Sequence, residues 1–171
     1  MPTQVSAEHR ARLRTALKAT GADLLRYFER RTWSTDDAAD LLGETMLQAW
    51  RRVEKLPESA EAQRMWLFTV AAHTLANHRR STKRRRALTE RLREELGQTD
   101  EVADSGASLE VRDAVLRLHR AHRELVMLIH WDGFTIVEAA ELLGVNPSTA
   151  RSRYAAAREA LKSALRDQVH C

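Results

Sequence analysis

The chain has 171 residues and a formal charge of +4, from 28 lysines and arginines against 24 aspartates and glutamates. That length holds one medium domain or two small ones, which excludes a large multidomain enzyme. With 43% hydrophobic residues but only six glycines and three prolines, the chain has too few breaks for a β-rich fold, and an all-α protein is expected.

At the N-terminus, Glu8 to Arg14 is rich in charge and holds no apolar signal core. No run of about 18 apolar residues follows anywhere. A soluble, cytoplasmic protein without membrane insertion of its own is the expectation. Ser34-Thr35-Asp36-Asp37 then supplies a helix cap and first-turn acids, and Ala38, Leu41, Leu42, Thr45, Met46, Ala49, Trp50 and Val53 follow at helical spacing as a core stripe. Asp37, Asp40, Glu44 and Gln48 recur at steps of three and four on another stripe of the same helix. Such a polar ridge is either an ordinary solvated face or a docking surface. Leu56-Pro57-Glu58-Ser59-Ala60-Glu61 breaks the pattern, since proline lacks an N–H and restricts its predecessor, and a loop is predicted there.

Helical periodicity returns from Met65 to about Arg80, with Leu67, Ala71, Thr74, Leu75 and His78 on one side and Trp66, Thr69, His73, Asn77 and Arg80 near the other. The second side mixes aromatic, amide and basic groups that can stack on, hydrogen-bond to or neutralise a nucleic acid, although an aromatic at this spacing also suits a core. Arg79, Arg80, Lys83, Arg84, Arg85 and Arg86 place six cations in eight positions, either a solvated helix end or a polyanion contact. If all six met duplex phosphates, the slope of log affinity against log salt would be about −5. From Gly97 to Ser108 there are three acids, no bases, two glycines and no helical stripe, which reads as a flexible acidic linker.

Beyond it, Val111 to Trp131 supplies Val115, Leu118, Leu125, Val126, Leu128 and Ile129 as supporting core. Thr135-Ile136-Val137-Glu138 reads as a capping box opening a helix with Ala139, Ala140 and Leu143 as its packing face. Gly144 supplies the turn, Asn146 caps the next helix and Pro147 takes its first position. The result is a helix-turn-helix, which serves either as pure packing or as a DNA reader. Its second helix opens with Ser148, Thr149, Arg151, Ser152 and Arg153, residue types that reach base edges or phosphates. The single cysteine, Cys171, closes no intrachain disulfide, and Val169-His170-Cys171 reads as an inert frayed end.

Taken together, Asp40-Leu41-Leu42-Gly43-Glu44-Thr45-Met46-Leu47-Gln48-Ala49-Trp50, Trp66-Leu67-Phe68-Thr69-Val70-Ala71, Glu138-Ala139-Ala140-Glu141-Leu142-Leu143-Gly144-Val145 and Thr149-Ala150-Arg151-Ser152-Arg153 resemble the extracytoplasmic-function sigma factors of bacterial RNA polymerase. Their order and spacing cover nearly the whole chain. The resemblance implies a region 2 helical domain over 1–93, a linker over 94–110 and a region 4 helix-turn-helix domain over 111–171. It further implies that Asp40, Glu44 and Gln48 dock on the coiled coil of the polymerase β′ subunit, with Leu41 and Met46 in the core. The loop Lys55 to Arg64 matches the family's specificity loop, which captures a base flipped from the minus-ten element of promoter DNA. Trp66, His73, Asn77 and Arg80 are then the residues for the melted strand, and Ser148, Thr149, Arg151, Ser152, Arg153 and Arg158 those for the minus-thirty-five duplex. The linker would imitate RNA in the exit path, and an anti-sigma factor would hold the protein inactive. The chain departs from the family pattern at Gly43, usually glutamine; at His73, usually asparagine; at His119, often proline; and at Ala155 and Ala156, where larger or basic side chains are common.

Such a protein is no enzyme and needs no cofactor. A stand-alone helix-turn-helix regulator with an N-terminal sensing or dimerisation bundle is the alternative reading. A metal-dependent hydrolase on His119, His122 and His130 lacks a matched set of carboxylates, and no metal site is expected.

Overall fold

The computed structural model describes residues 2–32, 34–96 and 110–169. Among them the chain forms seven α-helices and one short 3-10 turn, with no strand. It divides into two compact units, Met1–Asp100 and Glu101–Cys171. The acidic stretch read as linker lies outside the described residues, as do His170 and Cys171.

The first unit holds α1 (Pro2–Glu29), α2 (Thr35–Arg51), the 3-10 turn (Val53–Lys55) and α3 (Ala60–Leu96). No helix is expected before Ser34 from the sequence pattern, yet α1 delivers Leu13, Ala16, Leu17, Leu24, Tyr27 and Phe28 to the core. Arg10, Arg12, Arg14 and Lys18 are interleaved with this stripe, so local composition looks polar while the i, i+4, i+7 register is apolar. α1 packs on α2 and α3, and Tyr27 meets both Phe28 and Phe68 edge-to-face at ring separations of 5.3 and 5.5 Å. Leu13, Leu24, Phe28, Leu67 and Phe68 are fully buried, each stabilising the fold by about 1.5–3 kcal/mol relative to exposure.

Ser34 caps α2, its side chain accepting from the Asp37 N–H at 3.0 Å as expected. Ala38 and Ala49 are fully buried, and buried Thr45 satisfies its hydroxyl by donating to the Leu41 carbonyl at 2.7 Å. Leu42, Met46 and Trp50, expected in the core, are half-buried. α3 is far longer than the stretch from Met65 to Arg80 read from periodicity. Ser59 caps it, accepting from the Ala62 N–H at 3.2 Å. No glycine or proline then interrupts the Glu-, Ala-, Leu- and Arg-rich run before Gly97, so the helix absorbs the basic run and positions 94–96, which the domain bounds implied by the resemblance place in the linker.

The second unit holds α4 (Glu110–Arg117), α5 (Arg120–His130), α6 (Ile136–Leu143) and α7 (Pro147–Val169). The stretch read as one supporting segment breaks at Leu118-His119, where His119 has an extended backbone (φ −53°, ψ 139°) and caps α5. α7 packs on α4, α5 and α6, burying Ala150 and Ala157 completely, with Ala157 beside Val115, Leu118, Val126 and Met127.

Candidate nucleic-acid interface

On α2 the polar ridge is real. Asp40 and Glu44 are exposed, Asp37 and Gln48 are half-buried, and the Gln48 amide donates to the Glu44 carboxylate at 2.6 Å. Leu41 lies in the core, and Met46 is half-buried. One residue of this face escapes sequence reasoning. Leu47, on neither the core stripe nor the charged ridge by residue type, is 53% exposed and sets an apolar side chain one turn from Glu44.

On α3, Trp66 is half-buried at the start of the face, while His73, Asn77 and Arg80 are exposed, with the Arg80 guanidinium donating to the Asn77 side-chain oxygen. Their steps of seven, four and three residues keep all four on one side of the helix. Ridge and face, separate in the sequence, meet in space: a cleft of about 740 Å³ is lined by Asp37, Asp40, Glu44 and Gln48 from α2 and by His73 and Asn77 from α3. Farther along, a second cleft of about 520 Å³ is lined by Arg31, Arg79, Lys83, Arg85 and Arg86, with Asp37 as its carboxylate. Arg31 is buried with its guanidinium 3.9 Å over the Tyr27 ring and donating to the Tyr27 carbonyl, which keeps a cation beneath this surface.

The predicted loop Lys55 to Arg64 is shorter in the structure. Lys55 belongs to the 3-10 turn and residues 60–64 to α3, leaving Leu56–Ser59 between them. The Ser59 cap makes the Ala60-Glu61-Ala62 run helical, so proline interrupts the chain for fewer residues than the composition suggested.

In the second unit the turn chemistry is as read. Thr135 and Glu138 form a complete capping box, with Glu138 N–H to Thr135 at 3.3 Å and Thr135 N–H to the Glu138 carboxylate at 2.7 Å. Gly144 adopts the left-handed conformation at φ 63°, and the Asn146 side chain accepts from the Ser148 N–H and hydroxyl, both at 2.9 Å. Pro147 opens α7. Ser148 therefore spends its hydroxyl proton on the cap and faces solvent as an acceptor. Ser148, Arg151, Ser152 and Arg158 are exposed, whereas Thr149 and Arg153 are half-buried, turned about 100° and 140° from Ser148 around the helix. Ala155 and Ala156 are exposed and leave the middle of α7 shallow. Behind the helix, Tyr154 stacks on His130 and its hydroxyl lies 2.8 Å from the imidazole, tying α7 to α5.

Of the three histidines weighed for a metal, His119 caps α5 and faces His122 at 5.8 Å, while His130 holds Tyr154. Among the described residues no group of three His, Cys, Asp or Glu could hold a metal, and no helix is long and apolar enough to cross a membrane.

Comparison with known proteins assigns both units. The sigma-70 region 2 model matches residues 17–85, and the sigma-70 region 4 model matches residues 108–161. The chain is 30% identical over 165 residues to the ECF RNA polymerase sigma factor SigL of Mycobacterium tuberculosis, covering 95% of this chain and 93% of that protein. It is 32% identical over 151 residues to SigC of the same species, covering 87% and 80%. Among solved structures, the sigma factor RpoE crystallised with the anti-sigma factor NepR from Bartonella quintana matches at 25% identity and a TM-score of 0.60, covering 93% of this chain and 97% of that one. CnrH, solved with the cytosolic domain of CnrY, shares the fold at 18% identity and a TM-score of 0.66, covering 96% and 94%.

Proposed function

Because the chain belongs to the ECF sigma factors of the sigma-70 family, we propose that its α2 ridge docks on core RNA polymerase while α3 and α7 read two promoter elements. Asp40, Glu44 and Gln48 are the polar docking residues, against the β′ coiled coil, and exposed Leu47 adds an apolar contact beside them. Trp66, His73, Asn77 and Arg80 contact the melted minus-ten strand, where unpairing costs a few kcal/mol per base and stacking with charge neutralisation offsets it. Ser148, Arg151 and Ser152 meet base edges of the minus-thirty-five duplex, Arg158 a phosphate, and half-buried Thr149 and Arg153 the groove wall.

The observation that carries this reading is the shared cleft: an acid-bearing helix lies directly beside the face that carries His73 and Asn77, so docking and strand capture occur on one compact unit. The chain has no catalytic step and no cofactor, works in the bacterial cytoplasm, and is held inactive by an anti-sigma factor covering these surfaces, as RpoE of Bartonella quintana is bound by NepR. The stand-alone regulator leaves the α2 ridge without a purpose.

Transcription reconstituted from the purified chain, core polymerase and a promoter library tests the reading. Transcripts from a defined subset of promoters, absent without the chain, are expected. Sequence-specific duplex binding with no promoter-dependent transcript would overturn it in favour of the regulator.

A further inference from the structure

We propose that Gln63 and Arg12 are positioning residues that hold the Leu56–Ser59 loop in the shape that receives a flipped promoter base; the proposal rests on the base-capture role that the family resemblance implies for the Lys55 to Arg64 loop. Gln63 sits one turn into α3 and is only 9% exposed. Its side-chain amide donates to two successive loop carbonyls, Pro57 at 3.0 Å and Glu58 at 3.1 Å. Arg12, reaching across from α1, donates its guanidinium to the same Pro57 carbonyl. Both carbonyls lie in a partly buried connection, and side chains from two different helices satisfy them.

The remaining degrees of freedom are closed as well. Leu56 is buried and its N–H donates to the Val53 carbonyl at 3.1 Å, proline fixes φ at position 57, and Ser59 is committed to capping α3. What is left outside is the tip: Glu58, Ser59, Ala60 and Glu61 are all exposed. A buried glutamine amide costs free energy to desolvate and recovers it through these bonds, which fix the course of the loop. A loop that receives an extruded base has a use for that fixed course. Base extrusion already costs a few kcal/mol, and ordering four loop residues at the same moment would add to that cost. Holding the loop in advance removes the second cost, which raises affinity and sharpens discrimination without any new contact to DNA.

The test uses the full chain bound to core polymerase and single-stranded minus-ten oligonucleotides scanned base by base, with the ratio of affinities for the preferred and substituted base as readout. Charge reversal at the tip, Glu58→Lys with Glu61→Lys, is expected to abolish discrimination at one position. Gln63→Met, similar in shape but without donors, and Arg12→Ala are each expected to reduce discrimination at that position by roughly five- to tenfold. Affinity for core polymerase and for the minus-thirty-five duplex should stay within about twofold, and Arg12→Lys, which keeps a donor, should recover most of the loss. If the tip variant abolishes discrimination while Gln63→Met and Arg12→Ala leave it intact, the proposal is overturned and the base-capture reading stands. If the tip variant changes nothing, the base-capture reading itself fails. Equal losses in all three affinities would show that the two residues only support the fold, and they too overturn the proposal. Should Gln63→Met lose helical circular dichroism, the half-exposed Arg12 decides the matter alone.

Discussion

Gly43 and Gly144 put one residue type into opposite situations. Gly43 lies inside α2, and a Cβ there would meet nothing within 4 Å, so its only effect on the fold is the cost of a glycine in a helix. Gly144 also has open space around it, but its φ of 63° is a conformation that side chains with a Cβ resist. Gly43→Ala is therefore expected to stabilise the chain by about 0.8–1 kcal/mol. Gly144→Ala should destabilise it by about 1–2 kcal/mol. Urea unfolding of the two variants checks both signs, and shifts in the same direction would contradict the backbone assignment at one of them. The single-residue signals were legible because they are local: a capping box, a left-handed turn and a proline at the first helical position involve neighbours within four residues. Gln63 was not legible, since its partners are loop carbonyls five and six residues away and nothing in its identity announces them.

At the scale of elements, α2 separates a buried face from an exposed one. Ala38, Leu41, Thr45 and Ala49 hold it in the bundle, and Asp40 and Glu44 point outward without contributing to the core. Replacing Asp40 and Glu44 together with alanine is thus expected to lower affinity for core polymerase by at least about tenfold, as for a pair of interfacial charges, while far-ultraviolet circular dichroism stays unchanged. Unchanged affinity in a binding titration would reject the docking role. Periodicity found α2 and the middle of α3, because their apolar stripes are strong. It missed α1, whose stripe from Leu13 to Phe28 is diluted by arginines, and it stopped α3 early, because no apolar stripe marks the basic run even though nothing there breaks a helix. The meeting of ridge and face in one cleft depends on how α2 packs against α3, a contact between distant stretches that no local pattern carries.

Over the whole molecule, charge is allotted unevenly: the stretch 1–96 holds 19 basic and 13 acidic groups, while 109–171 holds 9 and 8. Non-specific attraction to DNA should accordingly come mostly from the first unit and be strongly salt-dependent. Changing Lys83, Arg84 and Arg86 to alanine is expected to make the slope of log affinity against log salt shallower by about 2–3, roughly 0.9 per phosphate contact. Fluorescence anisotropy over a salt series measures this, and an identical slope would remove the basic run from the DNA contact. The composition suited an all-helical chain in two parts, but it could not say that the face bearing Trp66, His73 and Asn77 and the cations share one element. They do, because α3 runs unbroken for 37 residues, a rod about 55 Å long. Such a rod is a ruler with a phase. Between Asn77 and Lys83 every residue adds about 1.5 Å and 100°, so one inserted residue would swing the cations a quarter-turn away, and seven would restore the azimuth to within about 20° while pushing them some 10 Å onward. On the proposed reading the register of a promoter strand against this surface is written in residue count, and the stretch should accept many substitutions but neither insertions nor deletions.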